Sequence, residues 1–146
     1  MAINVREVKT QDYEAWTILW QNYLTFAGGD LDGSITLSTW NRALSSDSPL
    51  MCRVAEKEGS IIGFAIFILH EGSWATRPLC YLEDLYVDEK SRGIGAGRSL
   101  IEAILDEAKD KAWAKVYWVT RASNPARALY DQLAVLEDFV RYSIKV

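Results

Sequence analysis

The sequence predicts an α/β domain built on a mixed sheet, and three observations carry that prediction. Two β-rich apolar runs flank Glu58-Gly59, which is the pattern of an antiparallel hairpin. A later apolar strand runs directly into a glycine loop and an amphipathic helix. After that helix, strand and helix patterns alternate once more.

Taken in order, residues 4–8 read as a short first strand. Residues 12–26 carry Tyr13, Trp16, Leu19, Trp20, Tyr23 and Leu24 at helical spacing. The run Gly28-Gly29-Asp30-Leu31-Asp32-Gly33-Ser34 ends that helix, and a second short helix is expected over residues 38–44. Residues 45–49 form a turn, and residues 51–56 and 61–69 are the hairpin strands. Residues 71–78 are a loop and residues 79–87 the next strand. The long helix over residues 97–111 sets Leu100, Ile101, Ile104, Leu105 and Ala108 on one face. Residues 116–120 are β-branched and aromatic, as strands are. Asn124-Pro125 opens another helix, with Asn at the cap and Pro at the first helical position. That helix carries Ala128, Leu129, Leu133 and Leu136, and residues 139–146 alternate like a final strand.

The 146 residues fit a single domain spanning 1–146, long enough to bury a sizeable core. The longest apolar run, residues 61–69, contains Gly63 and stops at His70, which is too short for a membrane span. The N-terminus lacks the basic region and apolar run of a signal peptide. Cys52 and Cys80 both sit in apolar, strand-like surroundings, so two reduced, buried thiols in a cytoplasmic protein are expected. One His and two Cys cannot supply a typical structural zinc site, so no metal is expected. The net charge of −4 argues against nucleic acid, which needs a concentrated basic face, and suits a cationic substrate.

Three phosphate-binding patterns compete for the glycine loop. The stretch Gly93-Ile94-Gly95-Ala96-Gly97-Arg98-Ser99 is one residue short of a Walker A loop and carries Arg98 in place of its Lys. A dinucleotide fingerprint started at Gly93 or Gly95 would need its third glycine at Arg98 or Leu100. What fits is Arg92-x-x-Gly95-x-Gly97 between a strand and a helix. Its glycines let backbone N–H groups approach a ligand, and the helix N-terminus favours an anion. On its own, the loop also reads as a glycine-rich turn capping a helix.

With Arg92, Gly95 and Gly97 in that order, the sequence resembles the GNAT superfamily of N-acetyltransferases. The later run Asn124-Pro125-Ala126-Arg127-Ala128-Leu129-Tyr130 matches a second motif of that family. The strand Tyr81-Leu82-Glu83-Asp84-Leu85-Tyr86-Val87 and the stretch Val116-Tyr117-Trp118-Val119-Thr120 look like one branch of it. That branch comprises spermidine/spermine acetyltransferases and a fungal group acting on histones, polyamines or D-amino acids. The run Leu133-Ala134-Val135-Leu136-Glu137-Asp138-Phe139 departs from the family by lacking its usual Leu-Gly-Phe turn. The resemblance implies a mostly antiparallel central sheet flanked by helices, with a splayed strand pair holding acetyl-CoA. It implies no metal, a small-molecule amine as acceptor and a homodimer, to which residues 139–146 would contribute a shared strand.

The implied acetyl-CoA contacts are Leu85, Tyr86 and Val87 on the strand, Arg92, Gly93, Ile94, Gly95, Ala96, Gly97 and Arg98 in the loop, and Asn124, Arg127 and Tyr130 beyond it. The implied acid is Tyr130, which would protonate the leaving thiolate. The implied base is Glu83, because an alkylammonium must lose a proton before it attacks. Asp84 is the alternative, and strand alternation lets only one of the two face the cleft unless a bulge intervenes. The acceptor is expected among the first helix, the loop at residues 28–34, the second helix and the loop at residues 71–78. Asp30 and Asp32 are candidate amine contacts, and Trp16, Trp20, Trp40 and Trp74 candidates for an aromatic wall. Trp16 and Trp20, one turn apart, also read as core, and His70 as a polar strand end. Acetylation of a protein or peptide amine is a second reading, and acetyl-CoA sensing without catalysis a third.

Overall fold

The computed structural model describes residues 2–146. The elements are β1 (Asn4–Glu7), a 3₁₀ turn (Thr10–Asp12), α1 (Tyr13–Ala27), α2 (Gly33–Leu44), β2 (Leu50–Lys57) and β3 (Ser60–His70). There follow β4 (Leu79–Val87), a second 3₁₀ turn (Glu89–Ser91), α3 (Ala96–Asp110), β5 (Lys115–Tyr117) and α4 (Arg127–Leu133). One sheet runs in the order β1-β2-β3-β4-β5. All its pairings are antiparallel except β4 with β5, which is parallel. The β2–β3 turn forms because Glu58 and Gly59 take positive φ, 52° and 80°, and such a turn follows the twist of its strands.

Helices cover both faces of the sheet. Phe64 and Ile66 of β3 face α1 and α2, where they join Trp16, Trp20, Leu24 and Trp40. The alternate residues Ala65 and Phe67 face α3, where they join Leu100, Ile101 and Ile104. A strand buried on both sides reads as an unbroken apolar run, and this is why residues 61–69 show no alternation. Cys52 and Cys80 are free and buried, one on each face.

Several expectations change in detail. The second helix starts at Gly33 rather than Ser38, because the Asp32 side chain accepts from Ser34 N at 2.8 Å and caps it. The last helix starts at Arg127 rather than Pro125, preceded by a tight turn in which Arg127 N donates to Asn124 O at 3.1 Å. It ends at Leu133, short of Leu136, and leaves through an extended Ala134 at φ −144° and ψ 176°. The left-handed glycine that commonly turns a chain at a helix end is missing there. Residues 139–146, expected as a final strand, have no ladder partner among the described residues. Phe139, Val140, Tyr142, Ile144 and Val146 of that segment are all exposed.

Candidate active site

β4 and β5 pair only at Leu79↔Lys115, Cys80↔Val116 and Tyr81↔Tyr117. Beyond that point the two strands part. Residues 82–87 therefore lack a ladder partner on the β5 side, and backbone groups there are available to a ligand's amides, as in strand addition, with the exception of Val87 O, which Arg92 holds. A cavity of about 360 Å³ lies in the opening. β4 contributes Leu82, Glu83 and Leu85 to it, and the chain after β5 contributes Trp118, Thr120, Arg121 and Asn124. Tyr23 and Phe26 close it from α1, and Tyr130 from α4.

A β-bulge settles how the two acids are disposed. Phe67 pairs with Leu82 and Ile66 with Asp84, so Glu83 is the extra residue of β4 and has no register partner. Glu83 is exposed and lines the cavity. Asp84 is turned beneath α1 instead, where Tyr23 Oη donates to its Oδ1 at 2.6 Å. Burial pushes the Asp84 carboxyl up to about 6, with the Tyr23 hydrogen bond opposing that rise and the Glu83 charge adding to it.

Tyr130 stands edge-on to Trp118, with ring centroids 5.5 Å apart, and burial raises its pKa. Asn124 Nδ2 donates to Thr120 Oγ1 at 2.8 Å, while its Oδ1 accepts from Ala126 N at 3.0 Å. The residue therefore caps the turn into α4 while lining the cavity.

Gly93 and Gly95 hold φ of 85° and 89°, and a Cβ built on either would meet nothing within 4 Å. Gly95 is the N-cap of α3 with no side chain bonded into that cap, so the first N–H groups of the helix remain for a ligand. These are the properties of a diphosphate cradle, and the loop fits the pyrophosphate of CoA. Arg92 Nε donates to Val87 O at 3.1 Å, and its guanidinium lies over Phe26 and Tyr86 at 5.7 and 5.5 Å. Arg98 is bonded to Gln132 Oε1 and so ties α3 to α4. Arg127 is not among the cavity walls and donates to Ala122 O at 2.7 Å. The side chain of Tyr86 is buried in the α1 core, so a ligand contact there would be through its backbone.

Of the expected acceptor elements, only α1 supplies walls to this cavity. Asp32 is the cap of α2, and Asp30 is exposed outside the cavity. Trp16, Trp20 and Trp40 are core, and Trp74 is fully exposed in the β3–β4 loop away from the cavity. His70 Nε2 lies 2.7 Å from Tyr117 Oη at the strand end. Among the cavity residues that sequence reasoning missed are Tyr23, Phe26, Trp118 and Arg121. Tyr23 falls on the same helical stripe as the core tryptophans, so its spacing alone marks it as packing. No group of three or more His, Cys, Asp or Glu suited to a metal exists among the described residues.

The model of the Acetyltransferase (GNAT) family matches residues 10–134. The D-amino-acid N-acetyltransferase HPA3 of Saccharomyces cerevisiae is 34% identical over 143 residues, 96% of this chain and 89% of that one. The Uncharacterized N-acetyltransferase YhfO of Bacillus subtilis is 30% identical over 149 residues, 99% of this chain and 98% of that one. Among solved structures, a ribosomal-protein-alanine N-acetyltransferase from Brucella melitensis superposes with a TM-score of 0.82 at 22% identity over the whole of both chains. AAC(6')-Iy in complex with the bisubstrate analog CoA-S-monomethyl-acetylneamine gives 0.82 at 20% identity, covering 100% of this chain and 99% of that one. The chain belongs to the GNAT family and is an acetyl-CoA-dependent N-acetyltransferase.

Proposed function

We propose that this enzyme, with residues 1–146 as one catalytic domain, transfers the acetyl group of acetyl-CoA to a primary amine of a small molecule by direct attack. The observation that carries this reading is the shared cavity, where Glu83 and Tyr130 line the opening between the parted strands. The thioester supplies the acetyl group. Glu83, exposed and free of the ladder, takes a proton from the alkylammonium, directly or through water. The amine nitrogen then bonds the acetyl carbon as the carbon–sulfur bond breaks. Tyr130, held protonated by burial, delivers its proton to the departing sulfur, and the second proton, shed by the nitrogen as the amide forms, passes through water to restore the phenol. A backbone N–H near Leu85 donates to the thioester carbonyl oxygen. Residues 85–87 and Asn124 receive the pantetheine amides, and Arg92 with residues 93–98 receives the pyrophosphate. Arg127 serves this site by bracing the turn before α4. The relative at 34% identity is named for D-amino acids and another, from Bos taurus, for thialysine, which supports a small amine.

Two further statements belong to this reading. The enzyme acts in the cytoplasm, in keeping with its free buried thiols. It acts as a homodimer in which the exposed apolar segment 139–146 pairs with a second copy. Deleting residues 139–146 is then expected to shift the sedimentation mass from dimer to monomer, and a full-length monomer at micromolar concentration would refute the pairing.

A thiol-release screen tests the catalytic reading. Acetyl-CoA is offered with polyamines, amino acids of both hands, aminoglycosides and a basic peptide. Release of CoA with a small amine is expected. Release with the peptide alone would make the enzyme a peptide acetyltransferase. Tight acetyl-CoA binding with no release in any arm would make it a non-catalytic module.

A further inference from the structure

Tyr23 has no part in the proton transfers proposed above, yet it stands at the inner wall of the same cavity. Its ring meets Trp20, Phe64 and Tyr86 at centroid distances of 5.6, 5.8 and 5.9 Å. Three aromatic neighbours hold the ring, so its hydroxyl has a set position. That hydroxyl spends its one proton on Asp84, at 2.6 Å. Asp84 itself is absent from the cavity wall. A phenol with its proton so engaged can only accept from anything else. Donation to a carboxylate also enriches the phenol oxygen in negative charge. The group that seeks such an acceptor is an amine N–H. Phe26 and Trp118, in the same walls, offer apolar contact to the carbons that carry it.

We propose that Tyr23 anchors the acceptor amine, its Oη accepting from the amine N–H, and that Asp84 is a positioning residue that orients this oxygen and lends it charge. The proposal rests on the amine-acetylation reading of the cavity and names the residue that holds the alkylammonium there. The titratable groups facing Asp84 are Tyr23 from α1, Cys52 from β2, and Glu83 and Tyr81 from β4, while β3 places Ile66 opposite it. With Asp84 titrating at about 6, its charge is lost on the acid side of neutrality, and the amine's hold weakens there.

The test uses the full chain as wild type, Tyr23→Phe, Asp84→Asn and the double variant. Amine KM, acetyl-CoA KM and kcat are measured from pH 5 to 9, and amine binding to the CoA-bound protein is measured by calorimetry. Each single variant is expected to raise the amine KM by about 10-fold or more, the span of one hydrogen bond with ionic character, and to leave the acetyl-CoA KM unchanged. Asp84→Asn is expected to abolish the rise in amine KM near pH 6. The double variant is expected to be no worse than Tyr23→Phe. An unchanged amine KM in both single variants, or a double variant that multiplies their effects, would overturn the anchor. Should Tyr23→Phe not fold, Asp84→Asn decides alone, because asparagine keeps an acceptor for the phenol and removes only the charge. Acetylation with unaltered variants overturns the anchor and leaves the catalytic reading standing. Tyr23-dependent amine binding without acetylation does the reverse, and the absence of both overturns both.

Discussion

The Arg53 guanidinium meets the Glu107 carboxylate in two hydrogen bonds, 2.8 and 2.7 Å long, that join β2 to the last turn of α3. Arg53 is only 7% exposed, and its guanidinium also lies 5.2 Å from the Phe67 ring centroid. A buried charge without its partner is far costlier than the absence of both. Glu107→Ala leaves Arg53 only a long 3.8 Å contact with the exposed Glu7, and is therefore expected to lower stability by about 3 kcal/mol in urea unfolding. Replacing the pair with Arg53→Met and Glu107→Leu together should recover most of that loss. Burial alone would push the Glu107 carboxyl up, but the hydrogen bonds and charge of Arg53, aided by Lys111, hold it below its ordinary value. A depressed carboxyl adds stability above its unfolded pKa and gives it up as pH falls through the folded one, so the Glu107→Ala deficit should shrink toward acid pH.

Asp84 has the opposite sign. Its carboxyl is raised to about 6 from an ordinary 3.8, so between those values the folded protein binds the extra proton. Stability from this group falls as pH rises through that window and stays low above it. A rise of that size corresponds to about 3 kcal/mol as an upper bound. Asp84→Asn, which keeps the Tyr23 acceptor, should thus stabilise the protein by about 1–3 kcal/mol at pH 7 and by little at pH 4. Thermal melts at the two pH values read this directly. A more stable, weaker-binding variant is the trade expected of a group kept for function.

The two motif glycines should respond differently to alanine. Gly95 sits at φ 89°, where an L side chain is strained by about 1–2 kcal/mol, and its exposed face is the proposed phosphate cradle. Gly97 has no positive φ, and a Cβ there would rest at 3.7 Å from Leu129 Cδ2 and 3.9 Å from Val87 Cγ2, ordinary contact distances. Gly95→Ala is expected to weaken CoA binding by about 10-fold or more, through strain and obstruction together. Gly97→Ala should stay within a few-fold of wild type. Calorimetric titration with CoA separates them.

Local chemistry makes much of this fold readable. The Glu58-Gly59 hairpin, the strand ending at Val87 and the helix behind Gly95 stand where the residue patterns put them. Features set by pairing between distant residues are hidden. The bulge at Glu83 depends on the register of β3 against β4, and no residue in β4 announces it. Trp40 reads as available for an aromatic wall but closes the core against Trp16, with centroids 4.9 Å apart. Tyr23 shares the stripe of Trp16 and Trp20, and only its hydroxyl distinguishes it from them. Residues 139–146 have the alternation of a strand, yet alternation supplies no partner, and the described chain offers none.

Tyr130 offers the sharpest check on the chemistry. Burial raises its pKa above the ordinary phenol value, so it stays protonated across neutral pH and keeps a proton to donate. The aromatic edge contact with Trp118 survives Tyr130→Phe, so the walls of the cavity should hold their shape. What the variant removes is one proton donor at the departing sulfur. A positioned acid contributes about 100-fold or more, so kcat should fall by that factor while acetyl-CoA KM and CoA affinity stay nearly unchanged. The alkaline limb of the wild-type profile, set by the raised phenol, should vanish from the variant. Full activity in Tyr130→Phe with a good amine would move the acid elsewhere, and solvent delivered through the open strand gap would then be the donor to examine.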